Sequence, residues 1–353
     1  MGGDHAPAET VRGAVEAARE YGVEVVLVGR PDAIQAELAK HDTTGLRLLI
    51  EPAASVIPMD EHQPSTAWRR MRDSSLTVAL QLLADGRVDA VVSAGNTGAV
   101  VSGGTFILKR IEGIDRPALG LPFPSLGPTG KVFLVDVGAT PDAKPHYLVQ
   151  WAHMGAVYME RVMGVPNPRV GIVSNGEEEI KGSELVRETI PLLQNSGLNY
   201  VGPVEGKDVP AGLADVVVTD GFTGNVLIKT AEGIARMILD IMRAELTSSL
   251  LAKLLAAGLR PSFRRIGRRL DYAEYGGSLV MGVNGVLIKP HGRSNSRAIK
   301  NAIRVASSAV EQDIIPIFRQ VGQQQAAWGE AVPSASPSSA APAPAEEAGV
   351  SGP

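Results

Sequence analysis

Two glycine-rich segments of the sequence share one pattern and could hold an anion. They read DAVVSAGNTGAVV at 89–101 and DVVVTDGFTGNVL at 215–227, and in each an apolar run leads into Gly-x-Thr-Gly-x-Val. A valine-rich run is typical of a buried parallel strand, and the apolar spacing after it is typical of a helix. Glycine lets a ligand reach the backbone, and a helix N-terminus offers N–H groups and a positive dipole end. The pattern therefore indicates either two anion-binding corners around one crevice or two tight turns without a ligand.

The threonines of the two segments are expected to begin the helices. A threonine hydroxyl can accept a hydrogen bond from the first helical turn, so Thr97 and Thr223 are the predicted N-caps. The groups predicted to bind the anion at the two corners are Gly95, Asn96, Thr97, Gly98, Gly221, Thr223 and Gly224.

Other polar residues in glycine-rich segments have two interpretations each. Asp4 and His5 either line the site or cap the first helix. Lys181 follows a predicted strand and could neutralise a bound anion, whereas Glu177–Glu179 are either a solvated helix start or an acid–base pair. His291, in the segment KPHGRSNS, could serve catalysis, anion binding or structure.

Composition excludes several classes of function. The chain has 353 residues, a formal net charge of −4 and no cysteine. The negative charge argues against a nucleic-acid partner, and the lack of cysteine excludes disulfides, thiolate metal sites and a covalent thioester on the enzyme. The sequence has no Gly-x-Gly-x-x-Gly, Walker A, His-Glu-x-x-His or Gly-x-Ser-x-Gly motif. Dinucleotide, ATP, zinc-protease and serine-hydrolase functions therefore lose their simplest support.

Alternating strands and helices must position these residues. Helices are predicted at 8–21, 76–85, 146–163 and 183–195. The predicted strands are VEVVLVG, LRLLI, VDAVVSA, KVFLVDVGA, RVGIVSNG, NYVGPVEG and ADVVVTDG. Strands that alternate with helices of this length predict an α/β fold with a mostly parallel sheet. In such sheets, ligands bind at the carboxyl ends of the strands.

The longest helical pattern follows the second glycine-rich segment and runs from about Thr223 to Ala257. Gly258 and Pro261 are expected to end it, and a basic stretch follows. This region is either a core or dimer-interface helix, or a protruding helical pair at about 235–272 that meets an acidic partner or anionic lipid. The residues predicted to make that contact are Leu250, Leu254, Arg260, Arg264, Arg265, Arg268 and Arg269.

The remaining sequence suggests one domain and a tail. From about Gly322 the composition changes to Gln, Ala, Pro and Ser, which predicts a disordered tail at 322–353 after a single α/β domain at 1–321. No segment has the apolar length of a membrane span, and the first residues do not have the pattern of a signal peptide. The expected location is the cytoplasm.

Seven short motifs, in order along the chain, resemble one bacterial family: MGGDHAP, SAGNTGA, GEEEIKG, VEGKD, DGFTGN, YGG and HGRS. To about residue 320 the chain is similar to the phosphate acyltransferases that make acyl phosphate for phospholipid synthesis. The resemblance implies transfer of a fatty acyl group from acyl carrier protein to inorganic phosphate. It also implies a three-layer α/β sandwich similar to isopropylmalate dehydrogenase and phosphotransacetylase. Family members are homodimers that associate peripherally with the membrane, where a glycerol-phosphate acyltransferase uses their product.

The resemblance also implies roles for individual residues. Lys181 and Asn225 match the family's candidate functional residues and are expected to polarise the thioester carbonyl or to hold phosphate. His291 joins them as a candidate catalytic residue, and Asn96, Thr97 and Thr223 complete the predicted anion site. The arginines of the basic stretch would steer the acidic carrier protein. Phosphate is already anionic and a thiolate leaves readily, so the mechanism demands no metal or cofactor.

Departures from the family and rival functions remain open. Family members usually begin with a short apolar strand before the equivalent of Met1, and lack of this strand is expected to threaten stability and the site around Asp4. The nearest rival is a phosphotransacetylase-like enzyme for a small acyl-CoA, which does not require the long helix. A dehydrogenase on the similar fold is a second rival, and a non-catalytic membrane scaffold is a third.

Overall fold

The structure of the protein is a computed structural model that describes residues 1–270 and 274–331. Its strands, in chain order, are β1 Val25–Gly29, β2 Leu48–Pro52, β3 Ala90–Val92, β4 Ala118–Pro124, β5 Lys131–Val135, β6 Arg169–Val173, β7 Asn199–Val204, β8 Val216–Val218, β9 Ser278–Met281 and β10 Val286–Lys289. Its helices are α1 Ala8–Tyr21, α2 Pro31–Leu38, α3 Pro64–Arg70, α4 Ser75–Ala84, α5 Thr97–Gly103, α6 Pro145–Arg161, α7 Glu184–Gln194, α8 Asp208–Ala211, α9 Gly221–Leu246, α10 Leu250–Leu270, α11 Ser296–Glu311 and α12 Ile314–Ala331.

An eight-stranded mixed sheet forms the centre of the fold, in the order β3-β10-β9-β4-β5-β8-β6-β7. Four of its seven neighbouring pairs are parallel, and the pairs β10–β9, β9–β4 and β4–β5 are antiparallel. The predicted α/β fold with a mostly parallel sheet is confirmed. The sequence did not reveal β4, β9 or β10. β9 and β10 have only four residues each, and two prolines in β4 argue against a strand.

Helices cover both faces of this sheet, which gives the three layers that were expected. Alternate residues of each strand face opposite layers. Phe133 and Val135 therefore pack in one core with residues of α6, α7, α11 and α12, among them the fully buried Trp151. Val132 and Leu134 pack in the other core, with residues of α4, α5 and the start of α9.

The four predicted helices are all present with small changes at their ends. The helix predicted at 8–21 is α1, which buries Val11, Ala14, Val15 and Ala18 on one face and ends at a left-handed Gly22. The predictions at 76–85, 146–163 and 183–195 correspond to α4, α6 and α7. The apolar period of the sequence was sufficient here because each helix packs one face against the sheet.

The predicted helical protrusion is also present, but its break lies elsewhere. The buried residues of α9 are confined to its first eight positions, so the rest of α9 and the following α10 project from the core. The chain turns at Thr247–Ser249, where the Thr247 hydroxyl donates to the Arg243 carbonyl at 2.8 Å. The predicted end at Gly258 and Pro261 is wrong, since α10 continues through both. Hydroxyl side chains that donate to nearby carbonyl oxygens compete with the backbone hydrogen bonds of a helix. Here the hydroxyl residues of the turn separate α9 from α10, whereas Gly258 and Pro261 do not end α10.

Some predictions fall on parts of the chain that the structure does not describe. The side chains of Leu254, Arg264, Arg268 and Arg269 lie outside the described residues, as do residues 332–353. Residues 322–331, which the sequence assigned to the tail, belong to α12. None of the helices described is long and apolar enough to cross a lipid bilayer.

The first two strands stand apart from the main sheet. Within the described residues, β1 pairs with β2 and β3 pairs with β10, each on one side only. A cavity of ≈ 520 Å³ lies between β1 and β3, with Val25–Val28 on its lining. The Met1 ammonium, beside this cavity, donates to the Val28 carbonyl at 3.2 Å, and burial lowers its pKa to about 6. The expectation that lack of the family's strand before the equivalent of Met1 threatens stability and the site around Asp4 stays a prediction.

A buried carboxylate connects the central strands to α9. Asp136 follows β5 and is fully buried, and its oxygens accept N–H bonds from Leu119, Gly138, Ala139 and Thr140 at 2.6–3.1 Å. Burial raises the pKa of this carboxyl, and the N–H donors oppose that rise. The loop that Asp136 organises then accepts the first N–H of α9, because Gly221 donates to the Thr140 carbonyl at 2.9 Å.

Replacement of Asp136 by Asn should therefore lower the free energy of unfolding by about 2–4 kcal/mol, because the amide NH₂ would meet N–H donors in place of an acceptor. Urea denaturation followed by circular dichroism measures the change. The matched control is Asp142→Asn, an exposed aspartate shortly after the same loop, which should change stability by less than about 0.5 kcal/mol. Equal stability of Asp136→Asn and the wild type would contradict this role.

Candidate active site

The candidate site lies where the loops after β3, β5, β8 and β10 meet the first residues of the chain. The Asp4 N–H donates to the Gly292 carbonyl at 2.8 Å, which joins the N-terminal segment to the loop after β10. A Cβ added to Gly2 would lie 2.9 Å from the Gly95 nitrogen, so the N-terminal segment also packs directly on the loop after β3. The structure thus brings the segments that contain Asp4, Gly95 and His291 together.

The two glycine-rich corners are not on neighbouring strands. Five strand spacings separate β3 from β8 in the sheet, or about 24 Å. α9 extends from the second corner toward the first and rises about 12 Å along its axis between Gly221 and Lys229. The crevice is therefore formed by the length of α9 and the loop after β10, and not by two adjacent corners.

The predicted N-caps are wrong by one residue at the first corner and by three at the second. Asn96 caps α5, because its side-chain oxygen accepts the Ala99 N–H at 3.1 Å. Asp220 caps α9 and accepts the Thr223 N–H at 2.9 Å. Thr97 is thus the first residue of α5, and Thr223 is the third of α9. Asn and Asp exceed or equal threonine as N-caps, and each precedes the threonine at the position with extended backbone.

The start of α9 offers fewer free N–H groups than the sequence suggested. Gly221 donates to the Thr140 carbonyl, and Gly224 donates to the Asp220 carbonyl at 3.0 Å. The capping carboxylate of Asp220 also places a negative charge at this helix end, which opposes a bound anion. Gly221 and Gly224 instead allow close packing, since a Cβ on Gly224 would lie 1.9 Å from the Asp136 carbonyl oxygen.

Polar side chains along one face of α9 supply further hydrogen-bond donors to the site. Asn225 is exposed and lies beside Gly138 of the Asp136 loop, where a Cβ added to the glycine would lie 3.8 Å from the Asn225 side chain. Lys229 is one turn further on the same face. Its Nζ is 3.0 Å from His291 Nε2 and 3.8 Å from Glu232 Oε2. Lys229 therefore links two predicted residues, Asn225 and His291.

The sequence analysis did not select Lys229 or Lys289, although both belong to this group. Lys289 is the last residue of β10 and lies near Lys229, Asp4 and Glu232. Burial and the charge of Lys229 lower its pKa to about 8, against the opposing effect of the two carboxylates. Only weak features of the sequence point to these two lysines, since Lys289 directly precedes the PHGRS segment and Lys229 is one helical turn after Asn225.

His291 is neutral near pH 7 in this setting. Burial, with the charges of Lys229, Lys289 and Arg293, lowers its pKa to about 4. The Arg293 N–H lies 3.1 Å from Nδ1 and the Lys229 ammonium lies 3.0 Å from Nε2, so N–H donors face both ring nitrogens. This arrangement provides several N–H donors that could hold a phosphate or stabilise an oxyanion.

Lys181 lies on the loop after β6, next to the strand that leads into α9. Its Nζ is 2.9 Å from Glu178 Oε1, and this carboxylate raises the Lys181 pKa. Glu177 and Glu179 are also exposed and make contacts on the surface, with Lys207 at 3.6 Å and with Gln194 at 2.7 Å. The ion pair of Glu178 and these contacts show that the three glutamates are solvated, but they do not start a helix, since α7 begins at Glu184.

The remaining predicted residues lie at the rim of the site. Asp4 and His5 are exposed, and α1 begins at Ala8 with Pro7 at the N-cap and no side-chain cap, so the capping interpretation of the pair is wrong. Asn96 Nδ2 donates to the Met59 carbonyl at 2.8 Å and fixes the rim near Gly292. Gly98 packs on Pro64, which a Cβ would approach to 2.9 Å.

Comparisons with known proteins agree with this architecture. The family described as "Fatty acid synthesis protein" matches residues 1–316. A phosphate acyltransferase of Geobacter sulfurreducens is 49% identical over 314 residues, covering 89% of this chain and 90% of the relative. One from Heliobacterium modesticaldum is 49% identical over 322 residues, covering 91% and 95%.

A solved phosphotransacetylase structure from Streptococcus pyogenes shares the fold, with a TM-score of 0.59 at 16% identity over 87% of this chain and 92% of that one. The family model thus matches most of the chain, and the relatives are nearly half identical to it in sequence. It belongs to the fatty acid synthesis protein family, together with the bacterial phosphate acyltransferases.

Proposed function

We propose that this protein transfers a fatty acyl group from acyl carrier protein to inorganic phosphate, which gives acyl phosphate for phospholipid synthesis. The observation that carries the proposal is the group of N–H donors from α9 and the loop after β10, in a chain nearly half identical to phosphate acyltransferases. A phosphate bound at this group lies at the carboxyl edge of the sheet, beside Asn225. From that position the phosphate can attack the thioester of an acyl donor that binds at the same edge of the sheet.

The reaction needs placement and charge stabilisation more than covalent chemistry. A phosphate oxygen attacks the thioester carbonyl carbon, a tetrahedral oxyanion forms, and the C–S bond breaks to release the thiolate of the donor. Asn225 and Lys181 are the proposed donors to the oxyanion, because β8 and β6 are neighbours and bring their loops to one edge. His291, with its pKa lowered to about 4, is neutral at pH 7 and does not act as a cation.

The helical protrusion is the proposed surface for partners. Exposed apolar side chains extend along α9 and into α10: Ile234, Met237, Ile238, Ile241 and Leu250. Arg260 and Arg265 are exposed further along α10. An apolar stripe beside basic residues suits a second copy of the chain, an anionic membrane surface and an acidic carrier protein. We therefore propose a cytoplasmic homodimer that touches the membrane, where a glycerol-phosphate acyltransferase takes the product.

Lys181→Ala and Asn225→Ala should each lower the rate of acyl phosphate formation by about 100- to 1000-fold, which is typical for loss of an oxyanion donor. The measurement is phosphate-dependent consumption of acyl carrier protein thioester, with acyl phosphate trapped by hydroxylamine. The matched control is Lys40→Ala, which also removes an exposed lysine paired with a glutamate three residues away. Activity of both variants within about threefold of wild type would show that these residues have no such role.

The charge-reversed double variant Arg260→Glu/Arg265→Glu should raise the KM for the carrier-protein donor by about tenfold and weaken binding to anionic vesicles, because both partners carry negative charge. Steady-state kinetics and vesicle sedimentation measure the two effects. The control Arg116→Glu/Arg161→Glu makes the same charge change at exposed residues outside the protrusion. If KM and vesicle binding stay unchanged in the α10 variant, the protrusion is not the docking surface.

A further inference from the structure

The loop that carries His291 leads into α11, and α11 packs closely on the first helix of the chain. A Cβ added to Gly13 of α1 would lie 2.6 Å from the Ser296 carbonyl oxygen. The buried residues of the two helices include Val11 and Ile299. Within the described residues, β1 pairs with β2 and not with β3. Helix packing, rather than a strand ladder, therefore joins the N-terminal elements to the main sheet.

A carboxylate of α1 binds the N-terminus of α11. Glu9 Oε2 accepts the backbone N–H of Ser296, the first residue of α11. The first N–H groups of a helix have no partner within that helix, so a carboxylate there satisfies a donor and complements the helix dipole. Asn295 is the N-cap, because its side-chain oxygen accepts the Ala298 N–H at 3.0 Å. Glu9 adds a second capping contact from 287 residues away in the chain.

A short turn connects this capping contact to the imidazole of His291. The Ser294 N–H donates to the His291 carbonyl at 3.0 Å, and the Arg293 N–H lies 3.1 Å from His291 Nδ1. Ser294 and Ser296 are buried, with 4% and 7% of their surface exposed. Because the turn is closed by hydrogen bonds and its last residues are buried, a shift of Ser296 would also move the ring.

The N-terminal segment holds the same loop at a second point. The Asp4 N–H donates to the Gly292 carbonyl at 2.8 Å, and the Glu9 N–H donates to the His5 carbonyl at 3.1 Å. The segment from Asp4 to Glu9 therefore contacts the loop both at Gly292 and at Ser296. Loss of the Glu9 side-chain contact would leave the Asp4 contact in place, so the loop should shift and not unfold.

We propose that Glu9 is a positioning residue for His291, which it holds in the crevice by binding the N-terminus of α11. The inference rests on the proposed function, in which His291 belongs to the site, and it gives a residue of α1 a role in the reaction. Glu9 acts through the hydrogen bond to the Ser296 N–H, so the length of its side chain matters more than its charge.

The pKa of His291 reports the position of the ring. In the held position, burial and nearby cations lower this pKa to about 4. The charged groups that face the ring are Lys229, Lys289, Arg293 and Asp4. A ring that moves out of the crevice gains contact with water and separates from the cations, and both changes raise its pKa toward the ordinary value of 6.5.

Three variants separate the reach of the Glu9 side chain from its charge. Glu9→Ala removes the acceptor, Glu9→Asp keeps the charge but is one methylene group shorter, and Glu9→Gln keeps the length and an acceptor oxygen. NMR titration of the protein with labelled histidines measures the pKa of His291, whose signal is the one that His291→Gln removes. This pKa should rise from about 4 toward 6.5 in Glu9→Ala and Glu9→Asp, and should stay near 4 in Glu9→Gln.

The matched control breaks another contact between the same two helices. Glu20 of α1 accepts from Lys300 Nζ of α11 at 2.8 Å, further along both helices from the loop. Glu20→Ala should therefore leave the pKa of His291 and the kcat of the enzyme as in wild type. A rise of the His291 pKa in Glu20→Ala equal to that in Glu9→Ala would show a general loosening of the helix pair and would overturn the proposal.

Steady-state kinetics measures the effect on the reaction. The kcat for acyl phosphate formation should fall about 10- to 100-fold in Glu9→Ala and Glu9→Asp, because small displacements at a site have effects of this size. The KM for the acyl donor should stay within about twofold of wild type, and Glu9→Gln should keep most of the wild-type kcat. An unchanged kcat in both short variants would overturn the role of Glu9. An impaired Glu9→Gln beside a normal Glu9→Asp would overturn it too, since charge and not reach would then matter.

The NMR titration keeps this inference separate from the proposed function, because it needs no substrate. If the wild type forms acyl phosphate but the pKa of His291 stays near 4 in Glu9→Ala and Glu9→Asp, the positioning role fails and the function stands. If the wild type forms no acyl phosphate yet this pKa rises in the two short variants, the function fails and the positioning of His291 by Glu9 stands. Should Glu9→Ala not fold, Glu9→Asp and Glu9→Gln still decide between these results.

Discussion

The site depends on one buried carboxylate. Asp136 has no exposed surface, and in that setting an acceptor must be fully hydrogen-bonded to be tolerated. Its four backbone donors come from β4 and from the loop after β5, so the carboxylate fixes this loop against the antiparallel centre of the sheet. The loop in turn receives the start of α9, where only glycine fits at Gly221 and Gly224. The direction of α9 follows from this contact.

That direction divides α9 into two parts with different surroundings. Its first three turns cross the carboxyl edge of the sheet and carry Asn225 and Lys229 to the loop after β10. Its remaining turns bury nothing within the described part of the chain and project with α10 as an exposed apolar and basic surface. The candidate site residues Asn225 and Lys229 and the proposed partner surface thus lie on one helix.

Side chains supply the charge on the α9 side of the site. Asp220 caps the N-terminus of α9, and the Gly221 and Thr223 N–H groups donate within the protein. Positive charge is supplied instead by lysines held close together, at a cost visible in the lowered pKa of Lys289.

The sequence by itself determined the local elements and the family, because apolar periods and motif order are properties of short segments. The bounds of α1, the strands before the two glycine-rich corners and the presence of the projecting helices, though not their bounds, were readable in this way. The predicted N-caps were wrong because the backbone conformation puts Asn96 and Asp220, and not the nearby threonines, at the capping positions. The residue types in these segments do not reveal that conformation. Lys229 and Lys289 are far apart in the chain, and only the tertiary structure brought them together. The strand order and the path of α9 decide that contact, and both depend on long-range packing around Asp136 that no local pattern encodes.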